Sequence, residues 1–128
     1  MQLEMFLTKG GMTLQIFVHD EIVVIRLSGE LDHYVVEKIR PQISTLIIQG
    51  AVQHIIWNFE QVLFMDSAGI GFLLGRAKEM SVLEREMTII NTTRTIAKIL
   101  TISGLERYLY EMTEQEALEQ ARGIVYGQ

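Results

Sequence analysis

The sequence predicts a single α/β domain, for three reasons. Its 128 residues, 48% of them hydrophobic, are enough to form one buried core. Runs of β-forming residues at 14–18 and 22–27 flank His19-Asp20-Glu21, as in a hairpin. A helical pattern of apolar residues over 35–47 follows, and then a third β-rich run at 54–59. This order makes a βαβ unit, so the second and third strands are expected to lie parallel.

Composition and charge exclude several classes of function. The chain has no cysteine, so it can form neither a disulfide framework nor a thiolate metal site. A net charge of −5 argues against binding to a nucleic-acid backbone, which normally needs a basic surface. The sequence contains no apolar run long enough to span a membrane and no secretory leader. We therefore expect a cytoplasmic protein that acts on a protein or a small molecule.

The first long helix is expected to begin near His33, after a loop at residues 28–32. Asp32 precedes the helix, either as its N-cap or as part of a recognition surface. Pro41 lies within the helical pattern, where it removes a backbone hydrogen bond. It therefore predicts a kink near Arg40-Pro41, or a helix that restarts there. Gly50 is expected to end the helix in a left-handed conformation.

Capping residues and apolar spacing predict the remaining elements. In chain order they are a helix from Asp66-Ser67 to about Met80, a strand at 86–90, a helix at 94–102 capped by Thr92 or Thr93, a short strand at most within 105–110, and a helix from the capping box at 113–116 to about Arg122. Residues 1–11 are interpreted as an N-terminal extension, or alternatively as a short edge strand through 3–7. Residues 123–128 are expected to form a loose C-terminal tail, so the predicted domain covers 12–122.

Ser67 is the best candidate for a functional group. Asp66 and Ser67 stand between an apolar strand end and an apolar helix, and their side-chain oxygens can accept hydrogen bonds from the first helical turn. Ser67 is thus expected near the surface at a helix N-terminus, where the helix dipole favours added negative charge. Its hydroxyl either accepts a phosphoryl group or only caps the helix.

Catalytic and metal-binding motifs do not fit this region. A serine-hydrolase elbow requires Gly-x-Ser-x-Gly, but Met65 stands where the first glycine belongs. In that hydrolase fold the catalytic histidine follows the serine in the chain, but all three histidines here precede Ser67. They are also too scattered in the sequence to indicate a metal site. A phosphate-binding loop, a kinase motif and a dinucleotide fingerprint are all absent from the sequence. We therefore expect no metal, no cofactor and no enzymatic activity, and interpret the chain as a substrate.

The pattern of residues 70–75 predicts which contacts the second long helix makes. Gly71 and Gly75 are four apart and share a helical face. Because glycine costs a helix about 1 kcal/mol, the pair suggests a close approach to the sheet or to a partner. Ile70 is expected on the exposed side, where it adds an apolar contact, and Leu74 is expected in the core.

Two segments resemble the signatures of a known family. The run Phe64-Met65-Asp66-Ser67-Ala68-Gly69-Ile70-Gly71 resembles the phosphorylation motif of the anti-sigma factor antagonists of the STAS family. The run Leu27-Ser28-Gly29-Glu30-Leu31-Asp32-His33 resembles that family's second motif, and the sporulation members are the most similar. The resemblance extends from about Leu14 to Ala121. Ala68 departs from the pattern, because a second serine is usual there, but the acceptor position is retained.

This resemblance implies a fold, a mechanism and partners. A STAS domain has a four- to five-stranded, mostly parallel sheet with an N-terminal antiparallel hairpin and about four helices. Family members bind an anti-sigma factor that is also a serine kinase and so release the sigma factor. Phosphorylation of the motif serine, here Ser67, ends the binding, and a serine phosphatase restores it. The implied partner surface comprises Asp32, His33, Asp66, Ser67 and Ile70, with no direct contact to nucleic acid or membrane.

Two other functions stay open from the sequence. The same mechanism could serve a general-stress pathway instead of sporulation. Alternatively, the chain could be a STAS module that binds a nucleotide or another small molecule within a sensory complex. Incubation with the cognate kinase and ATP separates the switch from the small-molecule module.

Overall fold

The computed structural model of this chain describes residues 2–7 and 12–127, which form a six-stranded sheet and four α-helices. The strands are β1 (Gln2–Leu7), β2 (Met12–His19), β3 (Ile22–Leu31), β4 (His54–Met65), β5 (Glu86–Ile90) and β6 (Leu109–Tyr110). The helices are α1 (His33–Gln49), α2 (Ser67–Val82), α3 (Arg94–Ile102) and α4 (Glu114–Tyr126). A 3-10 turn covers Glu106–Tyr108. The predicted α/β class is confirmed.

The strands follow one another across the sheet in chain order. β1, β2 and β3 are antiparallel neighbours, and β3 to β6 run parallel. The predicted hairpin is confirmed, with Val18 opposite Val23, and so is the βαβ unit, in which Ile25 lies beside Trp57. β1 pairs with β2 as an edge strand, the alternative considered for this segment. Met1 and 8–11, also assigned to the extension, lie outside the described residues.

The two faces of the sheet are covered unequally. The larger core contains residues of α1, α2 and α3, including Trp57, whose ring meets that of Phe72 edge-to-face at 5.7 Å. A smaller core on the other face contains Ala117, Leu118 and Ala121 of α4. Because β3 and β4 run parallel, the helices that follow them, α1 and α2, start at the same edge of the sheet. This edge holds the candidate site.

Two local predictions about the first βαβ unit were wrong, and so was the alternative of a helix that restarts at Pro41. Residues 28–31 continue β3, because Leu31 still pairs with Met65 after two register shifts along the strand pair. α1 is a single helix that contains Pro41, so it does not restart there, and the alternative of a kink near Arg40-Pro41 stays a prediction. Gly50 ends the helix in an extended conformation (φ −87°), and its N–H still reaches Leu46 O at 3.0 Å.

The later elements match the predictions closely until the C-terminus. β5 has the predicted bounds, and Thr93 caps α3 by accepting from the N–H of Ile96 at 3.2 Å. The capping box of α4 is present, with Thr113 and Glu116 bonded reciprocally. The predicted loose tail is wrong for residues 123–126, which extend α4 until Gly127 ends it with φ +71°. Gln128 lies outside the described residues.

Candidate functional site

The candidate site lies where β3 and β4 end side by side. Their last residues, Leu31 and Met65, are neighbours across the parallel pair. One aspartate follows each strand and caps the next helix, Asp32 before α1 and Asp66 before α2. The two segments identified in the sequence are therefore adjacent in the structure.

Asp66 holds the beginnings of both helices. Its Oδ1 accepts from the N–H of Ala68 at 2.9 Å and of Gly69 at 3.1 Å, which caps α2. Its Oδ2 accepts from the N–H of His33 at 3.2 Å, which belongs to α1. Both carboxylate oxygens of Asp66 are thus committed to the scaffold.

Asp32 caps one helix, α1. Its Oδ1 accepts from the N–H of Val35 at 3.1 Å, so the predicted N-cap is confirmed. The alternative, that Asp32 belongs to a recognition surface, stays a prediction. His33 beside it is exposed, and its ring lies 3.4 Å from Glu37.

Ser67 is the first residue of α2 and is exposed, as predicted. Because Asp66 caps the helix, the interpretation of Ser67 as only a cap is wrong. Among the described residues its hydroxyl makes no hydrogen bond. The helix N-terminus beside it favours a negative charge. Ser67 is therefore accessible to a modifying enzyme and is not needed to hold the fold.

The apolar residues near the start of α2 differ in exposure from the prediction. Ile70, expected to be exposed, is half-buried and packs against the larger core. Leu74, expected in the core, is 40% exposed, because Phe72 and Leu73 carry the buried face of α2 instead. Phe64, just before the site, is also exposed.

Gly69 is the residue that sequence reasoning missed. A Cβ at this position would lie 2.5 Å from Met65 Cγ and 2.6 Å from Leu31 O, so α2 can approach β3 and β4 only with glycine here. A Cβ at Gly71 or Gly75 would meet nothing within 4 Å. The close approach to the sheet predicted for that pair is therefore wrong for both residues. In the sequence, the need for glycine at this position was indicated by its place in the first turn of a helix that directly follows a strand.

A larger cleft of about 850 Å³ opens on the α4 side of the sheet. Its acidic lining residues are Glu60, Glu111, Glu114 and Glu116. Arg26, the cation among the described residues of its lining, is already bonded to both oxygens of Glu114, at 2.6 and 2.9 Å. The Arg26 guanidinium holds the pKa of Glu114 below its usual value. An anionic ligand such as a nucleotide would face net repulsion here.

Within residues 2–7 and 12–127, no group of three or more histidine, aspartate or glutamate side chains comes together as a metal site. In the same segments, no helix has the length and the apolar character that a membrane crossing requires.

Comparison with known proteins agrees with this geometry. The STAS domain profile matches residues 13–119, so the chain belongs to the STAS-domain family. The anti-sigma F factor antagonist of Lysinibacillus sphaericus is 47% identical over 107 residues, which cover 84% of this chain and 92% of that protein.

Two solved structures resemble the chain over most of its length. The anti-sigma factor antagonist SpoIIAA in its unphosphorylated form superposes with a TM-score of 0.81 at 48% identity, covering 86% of this chain and 96% of that one. The Bacillus cell fate determinant SpoIIAA in the phosphorylated form gives a TM-score of 0.76 at 47% identity, covering 85% and 99%. The predicted STAS fold is thereby confirmed, although the edge strands β1 and β6 bring the sheet of the described residues to six strands and not the four or five expected.

Proposed function

We propose that this chain is an anti-sigma factor antagonist that is switched off by phosphorylation on Ser67. The observation that carries the proposal is the exposed Ser67 hydroxyl at the start of α2, whose capping duty is performed by Asp66. A relative 47% identical to this chain has been solved in a phosphorylated form, which supports a modification of the same kind.

In this proposal the partner is an anti-sigma factor with serine kinase activity. The unphosphorylated chain binds it and releases the sigma factor, and a serine phosphatase later regenerates the antagonist. The chain itself is a regulator with no catalytic role, and it acts in the cytoplasm. The resemblance to an anti-sigma F factor antagonist supports the sporulation pathway over the general-stress alternative.

The physical basis of the switch is a change of charge on an unchanged scaffold. A phosphate adds about −1.5 to −2 charges at pH 7. The fold tolerates it, because the α2 N-terminus favours an anion and the Ser67 hydroxyl supports no other residue. A partner group of like charge about 6 Å away would be repelled by roughly 3 kcal/mol at an effective dielectric of about 20. Half of that would weaken the complex about tenfold.

The test is incubation with the anti-sigma factor kinase and ATP, followed by mass spectrometry. We expect one phosphate on Ser67 that is absent from Ser67→Ala. The matched control is Ser81→Ala, an exposed serine at the far end of α2, which should be phosphorylated like the wild type. A phosphate that persists in Ser67→Ala would contradict the assignment.

The switch itself is tested with Ser67→Asp. This variant should keep the melting temperature of the wild type within about 2 °C, yet bind the kinase at least tenfold more weakly. Circular dichroism and isothermal titration calorimetry provide the two measurements. Wild-type affinity in a folded Ser67→Asp variant would count against a charge-driven release.

A further inference from the structure

A groove of about 430 Å³ runs between α1 and α2 and begins beside the phosphorylation candidate. Ala68, the residue after Ser67, lines one end. The α1 side includes His33 and Arg40, and the α2 side includes Gly71, Gly75 and Arg76. We call this feature the α1–α2 groove.

Nothing within the described chain explains the two glycines of the groove. Both lie inside the regular helix α2, and a Cβ at either position would meet open space. Each glycine costs the helix about 1 kcal/mol relative to alanine. A residue type that neither backbone geometry nor internal packing requires indicates that something outside the chain comes close to the helix here.

Arg76 supplies a second and independent observation. It is only 7% exposed, its Nε bonds Glu79, and its guanidinium carbon lies 5.0 Å from the centre of the Phe72 ring. Its Nη1 is buried and has no hydrogen-bond acceptor among the described residues. Glu79 balances the charge of Arg76, but leaving the Nη1 donor without an acceptor is unfavourable, so a small shift of this side chain into the groove would let it reach an acceptor on another molecule.

The charged residues of the groove indicate the charge of the partner molecule that would bind there. Arg40 and Arg76 line the groove, and the carboxylates near them are Glu37, 3.4 Å from the His33 ring, and Glu79, which is bonded to Arg76 Nε. Arg40, by contrast, is exposed and forms no ion pair among the described residues, which leaves a positive charge in the groove of a chain whose net charge is −5. A carboxylate-bearing segment is the complementary occupant.

We propose that the α1–α2 groove binds an acidic segment of the anti-sigma factor kinase. The inference rests on the function proposed above and extends the contact surface away from Ser67 along the two helices. A stable complex buries about 800 Å² on each partner, more than one hydroxyl and its neighbours supply. An acidic segment beside Ser67 also gives the phosphate a like charge to repel, which links groove binding to the switch.

The first experiment fills the groove without disturbing the fold. Gly75→Leu places a side chain in the open space and removes a helix-breaking residue, so its melting temperature should equal or exceed that of the wild type. We expect its affinity for the kinase, measured by isothermal titration calorimetry, to fall at least tenfold. Ser81→Leu, exposed on α2 outside the groove, is the size-matched control and should bind within twofold of the wild type.

The second experiment tests the charge of the occupant at the exposed Arg40. Arg40→Glu should weaken binding more than Arg40→Gln, and the gap between the two should narrow as salt is raised. Equal affinities for these two variants would overturn the acidic assignment. This pair also keeps the test valid if Gly75→Leu does not fold.

The results of these experiments distinguish a failure of the groove inference from a failure of the proposed function. If wild-type protein binds the kinase and is phosphorylated on Ser67, but folded Gly75→Leu binds equally well, the groove inference alone is wrong. If wild-type protein neither binds nor is phosphorylated, the proposed function is wrong and the groove inference fails with it.

Discussion

Asp66 Oδ2 accepts a hydrogen bond from the backbone N–H of His33 at 3.2 Å, joining residues 33 positions apart in the sequence. The other oxygen of the same carboxylate caps α2. One side chain therefore caps α2, ties its start to the start of α1, and positions Ser67 beside both. The acidic residue before Ser67 positions the phosphorylation candidate, and its carboxylate is already occupied.

Replacing Asp66 by alanine should lower the free energy of unfolding by about 2 kcal/mol, because three backbone N–H groups lose an acceptor. Asp66→Asn should cost less, since one amide oxygen can still cap α2 while the NH₂ group faces the His33 N–H. Urea denaturation followed by circular dichroism measures both differences.

Asp32→Ala is the matched control, because it removes a cap with a single hydrogen bond to Val35. Its cost should be about 1 kcal/mol. Equal costs for Asp32→Ala and Asp66→Ala would show that the bridge to His33 contributes nothing. A tenfold loss of kinase affinity in Asp32→Ala, with little loss of stability, would support the recognition role predicted for Asp32.

Gly69→Ala and Gly71→Ala should change stability in opposite directions, although they are two residues apart on one helix. The Cβ at 69 would clash with Leu31 O and Met65 Cγ, which costs about 1 to 3 kcal/mol. The Cβ at 71 meets nothing, so alanine should stabilise α2 by up to about 1 kcal/mol. The difference between their urea midpoints is the measurement. Two destabilised variants would mean that Gly71 also has a packing role.

Local chemistry made much of the fold predictable from the sequence. The hairpin of β2 and β3 and the capping box of α4 each depend on a few neighbouring residues and were predicted correctly, and the cap of α3 is Thr93, one of the two threonines expected. The position of Ser67 also followed from local capping rules. Such features do not depend on which distant segment packs against them.

The failures concern contacts between segments that are distant in the sequence. The sequence of residues 28–31 is typical of a loop, and these residues are a strand because they pair with β4. The exposure of Leu74 depends on how α2 is rotated about its axis against the sheet. The need for glycine at 69 arises from Leu31, nearly 40 residues earlier. None of these constraints is visible in a local pattern.

Glu114→Gln should destabilise the protein at neutral pH by about 1 kcal/mol or less, since Arg26 is largely exposed. The Arg26 guanidinium lowers the pKa of Glu114 from 4.5 in the folded state. The stabilisation is therefore present above pH 4.5 and is lost as the pH falls through the lowered pKa. Urea denaturation of both proteins between pH 3 and pH 7 checks this. Glu111→Gln, an exposed position, is the control. A difference that does not change with pH would contradict the ion-pair explanation.

His54 should make the folded state sensitive to mild acid. It is 2% exposed, its Nε2 lies 2.7 Å from Thr88 Oγ1, and its Nδ1 has no partner among the described residues. Burial therefore lowers the pKa of His54 from 6.5 to about 4. Between these values the unfolded chain binds the proton and the folded chain does not, so stability falls with falling pH by about 3 kcal/mol in total. His54→Gln can still reach Thr88 but does not titrate, so its urea midpoint should fall less between pH 6.5 and pH 4. If the urea midpoints of the two proteins fell equally with pH, His54 would be protonated as easily in the folded state as in the unfolded state.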